Sequence, residues 1–539
     1  MIEGSLALEL PVKADGETAL SVPLIVRERA GIARVNEPVT LGVPLPRGYA
    51  MPGQKWVVED EAAAEGAAGC QTRPLALWRD GSVKWLLTTM AASCEPHGSR
   101  RVRLTPGKAT GRAAGVTVVR LADRIEVDTS RGVFTLPAAG EVLLSRANVS
   151  GREVLSAAGI AAELSDDRGR VHRLRLDGIE VLEEGPLRVQ VAFRGRFARM
   201  GLNCFGVWTF HANSAAVQLE ITLHNPSRAR HQSGCWDLGD PGSVRLREFA
   251  VRLCPAGDAQ ERVQWCEDGQ PRWSGQSDNE VEIYQASSGG EAFDSRNHVN
   301  AAGQIPIEFR GYRVQCDGTV RFGLRAQPIA ALQRGENWIA ATVAEFWQQF
   351  PKAMNADEEG VRIGLFPAQF ADGHELQGGE QKTHRIALDF GACGESDPAR
   401  LACLIHPLEV RCDREWLSAT EAILNLPPAN VALRAEWQAM ADDALAGERS
   451  FFAKREVIDE YGWRNYGDLW ADHEEAYYDG PRPIISHYNN QYDGLQGFLL
   501  SYLTTEDRRW WDLADPLARH IIDIDIYHTQ HDRAVYSGG

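Results

Sequence analysis

The sequence predicts a multidomain protein that is mainly β-structure over its first and larger part and α-helical after it. Its 539 residues exceed what one hydrophobic core usually serves, so roughly two to four domains are expected. The spacing of apolar residues lengthens from a period of two to a helical period near residue 412. This change predicts the transition from strands to helices.

Alternating apolar and polar residues predict the strands. In the stretch 217–224 the alternation places one face on a core and the other outward. Its apolar members are Val217, Leu219, Ile221 and Leu223. RIEVDTSRGVFTL (124–136) and LRVQVAFRGRF (187–197) repeat the pattern, and strands are expected as far as HPLEVRCD (406–413). Because turns and not amphipathic helices separate these strands, antiparallel sandwiches or barrels are favoured. Pro, Gly and small residues in TPGKATGRAAG (105–115) indicate a domain boundary.

A hairpin is predicted for WRDGSVKW (78–85), because the Asp-Gly dipeptide at 80–81 is a strong turn signal between apolar strands. Trp78 and Trp85 are then expected to pair across the strands in a core. Lys84 is expected to point outward.

Three stripes of apolar residues at helical spacing follow residue 412. They are Leu433, Trp437, Met440, Ala441 and Ala444; then Tyr492, Leu495, Phe498, Leu499 and Tyr502; then Trp510, Ala514, Leu517, Ile521 and Ile524. Asn430 is expected to cap the first helix and Gly447 to end it, while Thr505 opens the third, with Glu506 and Asp507 in its first turn. Pro516 should kink or interrupt the third helix. The chain ends within this pattern, so we expect an incomplete all-α domain.

Charge and composition exclude several classes of protein. A formal net charge of -17 without a dense Lys/Arg cluster argues against nucleic acid as a partner. No apolar run is long enough to span a membrane, and the first residues lack the pattern of a secretory signal. The ten cysteines form no C-x-x-C pair, which favours reduced thiols in a cytoplasmic protein.

Hydrogen-bonding side chains are concentrated in SHYNNQYDG (486–494). Tyrosine rings beside amides are unusual in a solvated loop, so this segment is a candidate wall of a ligand site. An alternative is that His487 bonds a backbone carbonyl at a helix start. Asn489, Asn490 and Asp493 are also natural capping residues for the helix that follows.

Two other polar stretches favour structural roles. His528 and His531 in HTQH have a spacing typical of metal ligands, but no third ligand is evident, so no metal site is predicted. Lys382 and His384 of ELQGGEQKTH (375–384) could serve a site. The Gly pair in this stretch, however, favours a turn with solvated charges.

A set of stretches in a fixed order carries a family resemblance. They are EPVTLGVPLPRG (37–48), PLALWRDGSVKWLL (74–87), VAEFWQQFPKAM (343–354), GLFP (364–367), ELQGGEQKTH (375–384), GWRNYGDLWADHE (462–474), HYNNQYDG (487–494) and DIYHTQHDRAVYSGG (525–539). Together they resemble exo-rhamnogalacturonan lyases, polysaccharide lyase family 26, also described as PcRGLX/YetA-like proteins. The resemblance implies an N-terminal RIFT-type β-barrel (1–110), a central β-sandwich (111–411) and a partial C-terminal α/α toroid (412–539).

The resemblance also implies a carbohydrate lyase that cleaves rhamnogalacturonan-type uronide glycans by β-elimination from a chain end. Such a reaction needs a cation at the uronate carboxylate, a base for the C5 proton and an acid for the departing O4 oxygen. The predicted catalytic residues are His487, His528 or His531 as base, Tyr488 or Tyr492 as acid or clamp, and Arg533 as carboxylate neutraliser, a role also open to Arg464. The predicted substrate-binding residues are Arg464, His473, Asn489, Asn490, Gln491 and Asp493. No cofactor is expected, and the expected partner is an oligosaccharide or polysaccharide.

Two alternatives remain open from the residues. The β domains could bind a glycan without any chemistry. The protein could also be a glycoside hydrolase, which needs two carboxylates across a cleft, and Asp468 and Asp493 are candidates for that pair.

Overall fold

The N-terminal part of the protein is built from two antiparallel sheets. The computed structural model describes residues 21–61, 67–108, 115–230, 238–257, 261–392, 394, 396–470, 480, 483–485, 487 and 492–529. The first strands are β1 (Val22–Arg27), β2 (Arg34–Pro44), β3 (Trp56–Asp60), β4 (Ala68–Gly69), β5 (Gln71–Leu77), β6 (Val83–Cys94) and β7 (Ser99–Pro106). One sheet has the order β2-β6-β5, and the other contains β1-β7-β3-β4. Both sheets place their apolar faces on one core, which includes Leu24, Met90 and Leu104.

The predicted hairpin is present between β5 and β6, but its aromatic residues do not lie in the core. Trp78 and Trp85 are only half-buried. The ammonium of Lys84 lies 4.7 Å from the ring centre of Trp78, and the guanidinium of Arg47 lies 5.3 Å from it. The expectation of a cross-strand tryptophan core was therefore wrong, because cations cover the Trp78 ring.

The central part is a sandwich of two large antiparallel sheets with a small third one. Its strands are β8 (Thr117–Arg120), β9 (Arg124–Asp128), β10 (Gly132–Pro137), β11 (Arg146–Val149), β12 (Arg152–Glu153), β13 (Leu155–Ser165), β14 (Val171–Arg173), β15 (Arg175–Glu184), β16 (Arg188–Phe197), β17 (Leu202–His211), β18 (Val217–His224), β19 (Val244–Leu246), β20 (Glu248–Pro255), β21 (Glu261–Cys266), β22 (Gly275–Ser277), β23 (Val281–Gln285), β24 (Tyr312–Cys316), β25 (Thr319–Gly323), β26 (Ile329–Arg334), β27 (Asn337–Val343), β28 (Lys352–Asp357), β29 (Gly360–Phe366), β30 (His374–Leu376) and β31 (Gln381–Gly391).

The two large sheets face each other across the main core of the protein. One has the order β14-β13-β20-β29-β28-β23-β24-β25, and the other has the order β15-β16-β17-β18-β31-β27-β26-β21-β22. The small sheet β12-β11-β10-β9-β8 packs its apolar face into the same core. Buried aromatic residues such as Trp208, Phe249 and Phe390 fill the space between the layers. The strands predicted from alternation at 124–136, 187–197 and 217–224 are all present.

The chain returns to the first domain before the long helices begin. After the short helix α1 (Ala402–Ile405), strand β32 (Glu409–Cys412) pairs antiparallel with β1. In the next helix, α2 (Arg414–Ala419), Trp416 packs on the N-terminal core and donates its indole N–H to the Pro44 carbonyl at 2.9 Å. Residues 409–417 therefore complete the N-terminal sheets.

Within the described part of the chain, four α-helices follow: α3 (Ala435–Leu445), α4 (Phe451–Ile458), α5 (Gly494–Thr505) and α6 (Arg508–His520), which widens into a π turn over Ile521–Asp525. They share a core that includes Leu445, Phe498, Trp510 and Leu513. None of the helices in the described ranges is long and apolar enough to cross a membrane.

The three predicted helices exist, with corrected details. The first helix begins after Arg434 and not after Asn430. The ring of Trp437 is 62% exposed, because only the small residues of its stripe meet the core. The third helix is capped by Asp507, whose carboxylate accepts from the Arg509 N–H. It runs on through Pro516, so the expected interruption is absent from this helix.

Candidate functional site

His487 lies against two carboxylates of the loop that follows α4. Its Nε2 is 2.7 Å from Oε1 of Glu460, and its Nδ1 is 3.8 Å from Oδ2 of Asp468. A single β-bridge between Trp470 and His487 sets the position of the imidazole. The indole of Trp470 donates to the Ile484 carbonyl at 2.7 Å, which holds the same two segments together.

Two backbone features place the carboxylates. The helix α4 ends at Asp459 in the left-handed conformation, with φ 55°, and this sharp end turns Glu460 inward, where it is 1% exposed. Gly467 has φ 110°, and a Cβ there would lie 2.2 Å from the Pro516 carbonyl oxygen. A glycine therefore allows the loop that carries Asp468 to pass close to α6.

A second imidazole lies behind the first. Nε2 of the buried His520 is 3.4 Å from Oδ2 of Asp468 and 3.2 Å from Oδ1 of Asp525. Burial alone would lower the pKa of His520, but the two carboxylates raise it to about 10. Burial likewise opposes the charged form of His487, yet Glu460 and then Asp468 raise its pKa above the ordinary value. Both rings therefore favour the imidazolium form.

The same region contains a possible metal-ligand set. Glu460, Asp468 and His487 each offer a ligand atom, and the three atoms lie within 4.8 Å of one another. In the sequence, only His528 and His531 have a spacing typical of metal ligands, and no metal site was predicted from them.

Arg464 is engaged in a buried ion pair. Its Nε and Nη2 lie 3.1 and 3.0 Å from the two carboxylate oxygens of Glu380, and Nη2 also donates to the Glu375 carbonyl. The guanidinium lies 4.3 Å from the ring centre of Trp463. These contacts join the loop after α4 to the turn before β31. The substrate-binding role of Arg464 stays a prediction.

The charges of the stretch 375–384 are buried, which corrects the expectation of a solvated turn. Glu380, Lys382 and His384 are each at most 2% exposed. The Asp523 carboxylate accepts from the backbone N–H and the hydroxyl of Thr383, both at 2.9 Å. The π turn after α6 packs on Thr383, whereas the ring of His384 lies beside those of Phe249 and Phe366 inside the sandwich.

His528 lies beside the outer face of the large sheet. Its backbone N–H donates to the Gly379 carbonyl at 2.9 Å, and its ring Nε2 donates to the Ile522 carbonyl at 2.6 Å. Its own carbonyl accepts from Nε2 of His224 at 2.6 Å. Nδ1 of His224 is 3.4 Å from the side-chain amide of Asn203, and burial lowers the His224 pKa, so the neutral ring fits both contacts.

The remaining predicted residues are less informative. Tyr492 is 63% exposed, and the Asp493 carboxylate caps α5 by accepting from the Gln496 N–H at 3.3 Å. The capping alternative for Asp493 is thus present. Seven predicted residues lie outside the described residues: His473, Tyr488, Asn489, Asn490, Gln491, His531 and Arg533.

A cleft of about 770 Å³ lies on the outward face of strands β15 to β18 and β31. The side chains and backbone that line it are Asp177, Ala192, Phe193, Arg194, Gly195, Arg196, Asn203, Cys204, Phe205, Gly206, Val207, Glu220, Thr222, His224, Gln381 and Thr383. The contacts of His528 with His224 and of Asp523 with Thr383 place the segment 523–528 along one side of the cleft.

The cleft combines charged groups with an aromatic ring. Within the described part of the chain, Arg196 is paired with Asp177 at 2.9 Å, whereas Arg194 is exposed and has no ion-pair partner. The ring of Phe205 lies 6.3 Å from that of His224. Such a surface can offer hydrogen bonds, one cation and a stacking face to a polar ligand.

Sequence reasoning missed this cleft although one signal was present. The alternation in 217–224 places Glu220, Thr222 and His224 outward. An outward histidine between two hydrogen-bonding residues is uncommon on a plain solvent face, but only the sheet order shows that Gln381 and Asn203 flank it.

Comparison with known proteins identifies the N-terminal part. Residues 28–106 match the family model of the PcRGLX-like N-terminal RIFT barrel domain, which confirms the RIFT-type barrel. No curated protein matches the chain.

Solved structures resemble the chain weakly. An α-mannosidase from Enterococcus faecalis is 8% identical with a TM-score of 0.35, over 73% of this chain and 46% of that chain. A GH36 α-galactosidase from Geobacillus stearothermophilus is 11% identical with a TM-score of 0.32, over 52% of this chain and 41% of that chain. A TPR-domain containing protein from Parabacteroides distasonis is 10% identical with a TM-score of 0.31, over 78% of this chain and 63% of that chain. The chain thus spans less than half the length of the mannosidase and of the galactosidase.

Proposed function

We propose that this protein is a carbohydrate lyase that binds rhamnogalacturonan-type uronide glycans in the cleft and cleaves them by β-elimination, acting from a chain end. The observation that carries the proposal is the position of His528 at the side of a polar cleft that also contains Arg194. The PcRGLX-like barrel at residues 28–106 supports the substrate class.

The proposed reaction needs three groups around one uronate residue. A base takes the proton from C5, and the electron pair of that C–H bond forms a double bond between C4 and C5. The bond from C4 to O4 breaks, and O4 leaves with its electron pair and takes a proton from solvent water. A cation near the carboxylate stabilises the negative charge that develops during proton removal.

His528 fits the role of the base better than His487 does. Because Nε2 of His528 donates to the Ile522 carbonyl, Nδ1 is the ring nitrogen that remains to accept the C5 proton. His487, in contrast, faces Glu460 and Asp468, which favour its protonated form. A neutral imidazole with a fixed tautomer is what proton abstraction requires.

Arg194 is the proposed partner of the uronate carboxylate. It is exposed in the cleft, and the neighbouring Arg196 already pairs with Asp177. A guanidinium can bind a carboxylate through two parallel hydrogen bonds, which fixes its orientation as well as its charge. Phe205 would offer its ring to the flat face of a neighbouring sugar.

The test is incubation of the protein with rhamnogalacturonan oligosaccharides while the absorbance of unsaturated uronate and the reducing ends are both measured. The proposal predicts absorbance that His528→Gln abolishes and that His97→Asn, at an exposed histidine of the barrel, leaves unchanged. Reducing ends without absorbance would mean hydrolysis, for which Asp177 and Glu220 of the cleft supply carboxylates. Binding without either product would mean a glycan-binding protein.

A further inference from the structure

Glu460, Asp468 and His487 bring three ligand atoms into one small volume, all within 4.8 Å of one another. Glu460 and Asp468 belong to the loop after α4, and the β-bridge between Trp470 and His487 brings the imidazole beside that loop. We propose that these three side chains bind one divalent transition-metal ion, Zn²⁺ or Mn²⁺. The proposal concerns a different site from the cleft and does not depend on the lyase reaction.

The contact between Glu460 and His487 is the first argument. Oε1 and Nε2 face each other at 2.7 Å as an ion pair, but the ring is not aligned for a hydrogen bond, and within the described residues neither atom has a hydrogen bond to another group. An unsatisfied carboxylate oxygen that is almost fully buried is costly. A metal ion with ligands at about 2.0–2.2 Å keeps neighbouring ligand atoms about 3 Å apart, so both atoms could be satisfied by one ion with little movement.

The charge of the region is the second argument. Among the described residues, the carboxylates of Glu460, Asp468 and Asp525 lie near the imidazoles of His487 and His520. Even with both rings protonated, this group of five side chains carries an excess of negative charge. On binding, His487 would release its ring proton so that its nitrogen can coordinate the ion, and the divalent cation would more than offset the charge that is lost with that proton.

The surroundings of Asp468 are the third argument. Nε2 of His520 lies 3.4 Å from Oδ2 of Asp468, and His520 is itself held by Asp525 at 3.2 Å. Ligand carboxylates in metal sites are commonly oriented by such a second layer of contacts. His520 and Asp525 would therefore position the ligand without binding the ion.

The ligand types determine the class of metal. An imidazole with two carboxylates favours ions that accept both nitrogen and oxygen, such as Zn²⁺ and Mn²⁺, over ions that prefer oxygen alone. By binding Glu460 and Asp468 together with His487, the ion would fix residue 487 against the loop after α4.

Titration calorimetry of the chelator-treated full chain with Zn²⁺, and electron paramagnetic resonance with Mn²⁺, test the proposal. We expect one ion per chain and a melting temperature that rises with the metal. Glu460→Gln and His487→Gln should each weaken the affinity by at least about 10-fold, since each removes one ligand. Glu436→Gln, at an exposed acid of α3, is the matched control and should bind like the parent protein.

Circular dichroism would show whether each variant folds. If a variant does not fold, the wild-type protein still tests the proposal. Titration of the wild type with Co²⁺ should produce visible absorption bands of a site with nitrogen and oxygen ligands. Absence of binding of all three ions to folded wild type would overturn the proposal. So would binding that is unchanged in folded Glu460→Gln and His487→Gln, because the ion would then lie elsewhere.

Discussion

Arg464 and Glu380 form a two-point ion pair inside the protein, with Nε 3.1 Å from Oε1 and Nη2 3.0 Å from Oε2. Glu380 is fully buried, and its Oε2 also accepts from the Gln377 N–H at 2.8 Å. The pair connects the loop after α4 to the turn before β31, and so it attaches the helical part to the sandwich. Loss of one partner would leave a buried charge without its counter-charge.

Arg464→Met should lower the free energy of unfolding by about 3–5 kcal/mol, because the Glu380 carboxylate stays buried and unpaired. Urea denaturation followed by fluorescence measures this. The double variant Arg464→Met/Glu380→Gln should recover part of the loss, since no buried charge remains. If the single variant changes stability by less than about 1 kcal/mol but loses saccharide binding, Arg464 is a substrate contact instead.

Gly467→Ala should lower the free energy of unfolding by about 1–3 kcal/mol. A φ of 110° is strained for alanine, and the new Cβ would meet the Pro516 carbonyl. Gly497→Ala is the matched control. No atom lies within 4 Å of the position of its Cβ, and it lies inside α5, so alanine should stabilise the helix by about 0.5–1 kcal/mol. Thermal melting of both variants checks the opposite signs. A neutral Gly467→Ala would mean that the loop can move away from α6.

The strands and helices could be predicted because their signals are local. The alternation of 217–224 and the stripe that includes Phe498 and Tyr502 each report which face meets a core. The errors arise where a tertiary contact decides. The start of α3 and the solvent exposure of Trp437 depend on which neighbours cover that helix, and no local pattern contains this information.

The candidate sites could be predicted only in part for the same reason. The composition of 486–494 indicated His487, but its partner Glu460 lies in a stretch that carries no motif. His224 and His528 are 304 positions apart in the sequence, and their hydrogen bond exists only because the turn after α6 packs on the sheet. Contacts of this kind follow from sheet order and helix docking.

Asp389→Asn should make the free energy of unfolding fall less as pH rises from acidic to alkaline values. Asp389 is fully buried, and burial raises its pKa to about 7, although Arg400 at 3.2 Å opposes this. The pKa of Asp389 is higher in the folded than in the unfolded protein. The contribution of its carboxyl group to the free energy of unfolding is therefore complete below about pH 4 and is lost as pH rises through about 7.

The difference in unfolding free energy between pH 5.5 and pH 8.5 should thus be larger for the wild type than for Asp389→Asn, by about 2 kcal/mol. The asparagine keeps an oxygen that can accept from the Phe390 N–H, as Oδ1 of Asp389 does at 3.0 Å. Urea denaturation at both pH values measures the difference. Parallel pH profiles of the two proteins would show that Arg400 keeps the carboxylate ionised.

Arg194→Gln should weaken binding of galacturonate-containing oligosaccharides roughly 10-fold, because a charge-assisted hydrogen bond to the uronate carboxylate is lost. Calorimetric titration at two salt concentrations measures the affinity, and its salt dependence should also decrease in the variant. Arg199→Gln is the control, since Arg199 is exposed beyond the end of β16 and outside the cleft lining. A neutral oligosaccharide of similar length should bind both variants equally. If Arg194→Gln weakened the neutral ligand as much as the charged one, the guanidinium would be shaping the cleft and not binding the carboxylate.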